Sequence, residues 1–170
     1  MTYFELFEVP ESFEIDLKLL KKKFLLLSRK YHPDFYTLKD AQEQNMALEM
    51  SAAINRAYKV LKDEEKLTSY ILSLNDIETS DKEAISQEFL MEMMDINERL
   101  MELQFDPRPK EKQSLIKEIK GIEDDIKNEM FGLKMSYNVN NSKKTLLHSI
   151  KNLHLKMKYL SRLNSQIISM

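Results

Sequence analysis

Lys18-Leu19-Leu20-Lys21-Lys22-Lys23-Phe24-Leu25-Leu26-Leu27-Ser28-Arg29-Lys30-Tyr31-His32-Pro33-Asp34 is the stretch on which the reading of this chain turns. At about 100° per residue, Leu20, Phe24, Leu27 and Tyr31 share one apolar stripe. Lys18, Lys22 and Arg29 lie on the opposite side, with Lys21 and Leu25 beside them. The spacing predicts a helix over 15–30. Pro33 has no N–H, and its ring disfavours the α region for His32, so the helix stops near Lys30 or Tyr31. His32 and Asp34 are thereby held on a stiff corner at the end of a cationic helix. These residues support three readings of the corner. It is a helix stop, or a His/Asp catalytic pair, or a recognition corner that offers Asp34 to an arginine on a partner. The catalytic reading lacks a Ser or Cys nucleophile motif and a Gly-rich oxyanion loop. The basic row reads either as a solvated helix back or as a dock for an acidic surface.

Composition narrows the classes around that stretch. The 170 residues carry 26 Lys+Arg against 28 Asp+Glu, a net charge of -2, so bulk attraction to nucleic acid is not expected. There is no cysteine, which excludes a disulfide, a thiolate metal or cluster site and a cysteine nucleophile in this chain. The longest apolar run, Phe24-Leu25-Leu26-Leu27, is far short of the roughly 20 residues of a membrane helix. Met1-Thr2-Tyr3-Phe4-Glu5 lacks the basic and apolar regions of a secretory signal. Two Gly and four Pro leave few turns, and 42% apolar with 32% charged residues fits an amphipathic all-α protein.

Outward from the corner, helical spacing predicts a short helix at about 2–7 and helices near 40–61, 64–73, 82–104, 110–134 and 143–168. Ser80-Asp81-Lys82-Glu83 has the pattern of a capping box. Pro107 and Pro109 close one helix and open the next, and Asn138, Asn140 and Asn141 suit the following turn. Short loops between the last three helices favour an antiparallel three-helix bundle.

Within 82–104, Phe89, Met93, Ile96, Leu100 and Leu103 form the core face. Leu90, Met94 and Met101 form a second apolar stripe roughly 120° away, followed by Glu98, Met91, Glu102 and Asp95. The second stripe serves either a wider core or a partner, since exposed Met beside carboxylates is adaptable and water-compatible. The next helix has the stripe Leu115, Ile119, Ile122, Ile126 and Leu133. The last has Leu146, Ile150, Leu153, Met157 and Leu160 in core phase, with Leu155 and Tyr159 pointing elsewhere. Tyr159 is a surface aromatic or an extension of the Met/acid face. After Glu129 there are seven Lys/Arg and no acid. His148 and His154, six residues apart, fall far apart around a helix with no third ligand, so no metal site is expected.

Tyr3-Phe4-Glu5-Leu6-Phe7, a basic helix, His32-Pro33-Asp34 and Ile54-Asn55-Arg56-Ala57-Tyr58-Lys59-Val60-Leu61 follow one another in an order that strongly resembles a J-domain. Ser69-Tyr70-Ile71-Leu72-Ser73-Leu74 and Phe89-Leu90-Met91-Glu92-Met93-Met94-Asp95 extend the resemblance over nearly the whole chain, to the HscB co-chaperones of iron–sulfur cluster assembly. The resemblance implies a J-domain at 1–75, a linker at 76–81 and a scaffold-binding three-helix bundle at 82–170. It implies that His32, Pro33 and Asp34 trigger a DnaK/HscA-type ATPase chaperone, with Lys18, Lys21, Lys22 and Arg29 as the electrostatic dock. It implies that Leu90, Met91, Met94, Asp95, Glu98, Glu102 and Tyr159 bind an IscU-type iron–sulfur scaffold. Family members often carry Leu and Glu where this chain has Met94 and Asp95. No cofactor, nucleic acid or membrane partner and no enzymatic activity of its own are expected. A bacterial cytoplasmic location is the simpler one, as neither a cysteine-bearing N-terminal segment nor a transit peptide is seen. Delivery of a different client to a DnaK-type chaperone is the alternative.

Overall fold

The hydroxyl of Thr2 accepts a hydrogen bond from the Glu5 amide (3.1 Å) while the Glu5 carboxylate accepts from the Thr2 amide (2.7 Å). This reciprocal cap satisfies two otherwise orphaned donors and starts α1 (Tyr3–Phe7). The structure, a computed structural model, describes residues 1–77, 85–137 and 143–169. Helices α2 (Leu17–Lys30), α3 (Ala41–Leu61) and α4 (Glu64–Leu74) follow, and then α5 (Gln87–Glu92), α6 (Met94–Phe105), α7 (Pro109–Tyr137) and α8 (Lys143–Ser169). No strand occurs among the described residues. The expected cap at Ser80 and Glu83, the turn at Asn138, Asn140 and Asn141, and residues 78–81 of the expected linker lie outside the described residues.

The chain divides into two compact units, Met1–Ile71 and Leu72–Met170. In the first, α2 packs against α3, and α1 closes over both. Leu20, Ala47, Ile54 and Ala57 are completely buried, with Phe4, Phe7 and Leu61 nearly so. Ala at 47 and 57 lets the helices approach closely, and Phe24 stacks on Tyr58 with ring centroids 4.1 Å apart. The Tyr3 ring stacks on Tyr70, and the Tyr3 amide donates to the Tyr70 hydroxyl (2.8 Å). Asp16 and Asp40 cap α2 and α3 through their carboxylates, as the preference for short acceptors at the N-cap requires.

The second unit is the antiparallel three-helix bundle, with α5 and α6 together forming its first rod. Its core joins Phe89, Met93, Ile96, Leu100 and Leu103 to Leu115, Ile119, Ile126 and Met130 and to Leu153, Leu160, Leu163 and Ile167. Three expectations need correction. The first rod does not run unbroken from 82. Ile85 and Ser86 are non-helical, Ser86 caps α5, and Met93 interrupts the rod with ψ near 0. The Met93 carbonyl there accepts from both the Asn97 amide (2.9 Å) and its side-chain nitrogen (2.7 Å). Leu155 does not point away from the interior. It is 7% exposed and lines a cleft with Ile85, Ser86, Asn152 and Lys156, because the late start of α5 brings 85–86 to α8. Leu147 is buried, while Leu146, assigned to the core by phase, is only half-buried.

Both glycines of the chain, Gly121 and Gly132, sit inside α7 rather than in turns. A Cβ added at either would meet nothing within 4 Å. Glycine in a helix interior costs roughly 0.5–1 kcal/mol relative to alanine. Gly121→Ala and Gly132→Ala should therefore each raise the thermal midpoint by a few degrees, as followed by circular dichroism. An unchanged or lower midpoint would mean the glycines answer a need other than helix geometry.

Burial, and then the charges of Lys158 and Lys134, push His154 down to about 4 from an ordinary 6.5. Between those values the unfolded chain binds a proton that the folded chain refuses, so stability drops as pH falls from about 6.5 toward 4. Urea midpoints measured at pH 7 and pH 5 should show this loss, and His154→Gln should shrink the difference. An equal difference in the variant would assign the acid sensitivity elsewhere.

Candidate functional site

Lys30 is the last residue of α2, and Tyr31 closes it by donating its amide to the Leu27 carbonyl (3.0 Å). His32 is then extended (φ -68°, ψ 127°), as a residue before proline must be. Pro33 opens a 3-10 turn, Pro33–Tyr36, whose Phe35 amide donates back to the His32 carbonyl (3.0 Å). The Tyr36 hydroxyl donates to the Lys30 carbonyl (3.2 Å) and the Thr37 hydroxyl to the Asp34 carbonyl (3.2 Å), so the corner is tied at both ends. His32 Nδ1 lies 3.3 Å from the Asp34 amide nitrogen and 3.5 Å from its carboxylate. A neutral imidazole accepts from the amide, and a protonated one pairs with the carboxylate; one Nδ1 cannot do both. The Asp34 side chain is 84% exposed and that of His32 is 52% exposed, so the corner is presented outward. Phe35, edge-on to the His32 ring, is exposed beside it.

The cations of α2 fall into two groups. Lys23 is used internally, reaching back to the carbonyl and carboxylate of Glu8, where the backbone is left-handed (φ 51°). Lys30 lies over the Tyr31 ring. Lys18, Lys21, Lys22 and Arg29 are exposed and form no ion pair among the described residues. Leu25 and Leu26 are also exposed on α2, so that surface is apolar as well as basic. Burial of Leu20 has left the cations outside, where a helix of this phase puts them.

In the second unit the alternative of a wider core is settled by exposure. Leu90, Met91, Met94 and Met101 are 43%, 72%, 59% and 60% exposed, while Met93 between them is 2% exposed. Asp95, Glu98 and Glu102 are exposed on the same rod. The ring of Tyr159, from α8, packs edge-on against Phe89 with centroids 5.7 Å apart, and its hydroxyl accepts from the Asn97 side chain (2.7 Å). Tyr159 is therefore half-buried at the edge of the rod that carries Leu90 and Met94, tied to it by both ring and hydroxyl.

The acids of this face are not equivalent. Arg99 bonds Asp95 (3.2 Å), Glu111 (2.8 Å) and Glu118 (2.7 Å), joining α6 to α7. Its hydrogen bond to Glu118, with those to Glu111 and Asp95, outweighs partial burial and holds the guanidinium above its usual range. Arg108 bonds Glu102 (2.9 Å). Glu98 has no ion pair among the described residues. The Arg99–Asp95 pair, at i and i+4, was legible from spacing; the bonds to Glu111 and Glu118 depend on how α6 and α7 meet, which no local pattern states. Among the described residues no group of three His, Cys, Asp or Glu side chains could hold a metal, and no helix is long and apolar enough to cross a membrane.

Comparison with known proteins matches both units. A DnaJ domain matches residues 2–70, and an HSCB C-terminal oligomerisation domain matches residues 85–168. A co-chaperone protein HscB homolog of Vibrio cholerae serotype O1 is 40% identical over 102 residues, 59% of this chain and 60% of that protein. One from Neisseria meningitidis is 37% identical over 102 residues, 59% of this chain and 61% of that protein. The chain thus spans about three fifths of the length of the curated relatives it matches. The solved structure of chaperone HscB from Vibrio cholerae superposes with a TM-score of 0.76 at 26% identity, covering 99% of this chain and 96% of that one. Human co-chaperone protein HscB superposes with a TM-score of 0.75 at 25% identity, over 98% and 80% of the two chains. With a DnaJ domain followed by an HscB C-terminal domain, and with structural likeness from end to end, the chain belongs to the HscB family of J-domain co-chaperones.

Proposed function

We propose that this chain is a co-chaperone of iron–sulfur cluster assembly in a bacterial cytoplasm. Its J-domain stimulates the ATPase of a DnaK/HscA-type chaperone, and its helical bundle carries an IscU-type scaffold to that chaperone. The observation that carries the reading is the outward corner of His32, Pro33 and Asp34, set at the end of a helix with four exposed cations that form no ion pair among the described residues. A carboxylate 84% exposed at that corner is available to an arginine of a partner. The chain hydrolyses nothing itself. It shifts the chaperone between conformations by binding one of them better, which is the only way a bound protein moves such an equilibrium.

Lys18, Lys21, Lys22 and Arg29 supply attraction and orientation rather than deep affinity, because exposed charges are screened over about 10 Å at 0.1 M ionic strength. The scaffold reading rests on Leu90, Met91 and Met94, exposed apolar side chains beside Asp95, Glu98 and Glu102, with Tyr159 at their edge. Thioethers suit such a face, since an unbranched, polarisable side chain adapts to a partner without demanding burial beforehand.

Asp34→Asn or His32→Gln should abolish stimulation of the chaperone's ATPase, measured by phosphate release, while scaffold binding and the helical spectrum stay as in the parent. Raising the salt should weaken the parent's stimulation steeply. Undiminished stimulation by either variant would remove the corner from the mechanism. In the bundle, Leu90→Ala with Met94→Ala should lower scaffold affinity several-fold to a hundredfold, as expected where interfacial anchors are worth about 1–3 kcal/mol each. Titration calorimetry with a purified cysteine-bearing scaffold measures it. Parent-like affinity in the double variant would reject this face as the scaffold site.

A further inference from the structure

The exposed apolar side chains of α6 do not stop at Met94. Met101 is 60% exposed and Phe105, the last residue of the helix, is 87% exposed. At about 100° per residue, Met94, Met101 and Phe105 fall within about 40° of one another, with Glu98 beside them and Glu102 and Asp95 farther round. The stripe covers about 16 Å of one straight helix at 1.5 Å per residue. Asp106, Pro107 and Pro109 end the helix directly beyond Phe105, so its ring stands at the tip rather than being folded back into the chain.

Charge along this stripe is uneven. The Asp95 carboxylate is held by Arg99 and that of Glu102 by Arg108, whose Nε also lies 3.6 Å from Asp106. Only Glu98, among these acids and among the described residues, is left without a basic partner of its own. An incoming cation gains little at a carboxylate that already has a guanidinium, and must displace it to gain more. It gains the whole pairing at one that has none.

We propose that the docking face of the bundle runs the length of α6 to Phe105, with Met101 and Phe105 as further contacts and Glu98 as the one acid that meets a cation of the partner. This rests on the scaffold reading of the Leu90 and Met94 face and specifies the occupant: a scaffold surface with an apolar ridge and a Lys or Arg beside it. Continuity with Leu90 and Met94, and the single unpaired carboxylate on the flank, fit that occupant. The same stripe of a second copy would bring Glu98 no cation, since Met94, Met101 and Phe105 carry none and Arg99 and Arg108 are already engaged.

The test is titration of the full chain with a purified iron–sulfur scaffold at low and high salt, alongside thermal melting and sedimentation of the chain alone. Met101→Ala with Phe105→Ala should weaken binding at least five-fold with an unchanged melt. Glu98→Gln should weaken it and flatten its salt dependence more than Asp95→Asn or Glu102→Gln does, because the latter two carboxylates already have arginine partners. Phe105→Ser alone, at a tip that packs on nothing, repeats the test should the double variant melt early. Weakening by Leu90→Ala with Met94→Ala but not by the Met101 and Phe105 changes would overturn this inference and leave the scaffold reading standing. No effect from either pair would overturn both. Salt dependence that disappears with Asp95 or Glu102 rather than Glu98 would overturn the charge assignment. Loss of self-association in the Met101 and Phe105 variant, without loss of scaffold binding, would make a second copy the occupant and reject the proposal.

Discussion

A helix that buries one stripe must leave the rest of its circumference to the solvent, and in this chain that constraint does most of the work. Leu20 is completely buried between α2 and α3. With 3.6 residues per turn, its burial turns Lys18, Lys22 and Arg29 outward without any interaction of their own to hold them there. Pro33 then supplies the second half of the constraint. It forbids α2 from continuing and fixes His32 in an extended conformation, so the corner stands at one end of the cationic face. The same logic runs through the second unit, where Ile96, Leu100 and Leu103 are buried and Met94, Glu98 and Met101 are consequently outside. Each face is first of all what remains when a core has been satisfied.

That origin explains which parts of the molecule could be read from residue order. Apolar spacing located the helices because each buries a continuous stripe, and Pro33, Pro107 and Pro109 marked breaks because proline removes a donor whatever its surroundings. The interruption at Met93 left no such mark. Met91, Glu92, Met93 and Met94 are all competent helix formers, and the one local peculiarity at the break is the Asn97 side chain, which donates to the Met93 carbonyl beside the ordinary helical amide bond. Leu155 was misplaced for a related reason. Its position on α8 is outside the main stripe, and what buries it is a non-helical segment whose path no periodicity describes. The chemistry of the corner was legible as three residues; the outward presentation of Asp34 was not, since exposure depends on the fold around it.

The near-zero net charge conceals a division of labour that sequence counts cannot resolve. Lys23 and Lys22 are neighbours in the chain, yet one bonds Glu8 and the other pairs with nothing among the described residues. Asp95, Glu98 and Glu102 look alike as letters, yet two of them are neutralised by arginines and one is not. Pairing of this kind weakens a charge as a recognition element while strengthening it as a staple, since a guanidinium shared among three carboxylates holds α6 to α7 and has little left for a partner. Of the three acids on the Met-rich face, the one whose charge remains available is therefore Glu98, and on α2 the available cations are Lys18, Lys21, Lys22 and Arg29.

The absence of cysteine gives this economy a chemical sense. A protein that carries a cluster scaffold must hold it without competing for its iron, and thiolates are the ligands by which a protein chain most readily would. On the proposed scaffold reading, the face offered to the partner carries thioethers, an aromatic ring and carboxylates instead. Thioether sulfur is a far weaker ligand for iron than thiolate, and the carboxylates of this open helix face do not converge with others into a group of three that could hold a metal among the described residues. The side chains that make the face adaptable are thus also ones that leave the cargo's metal where it is.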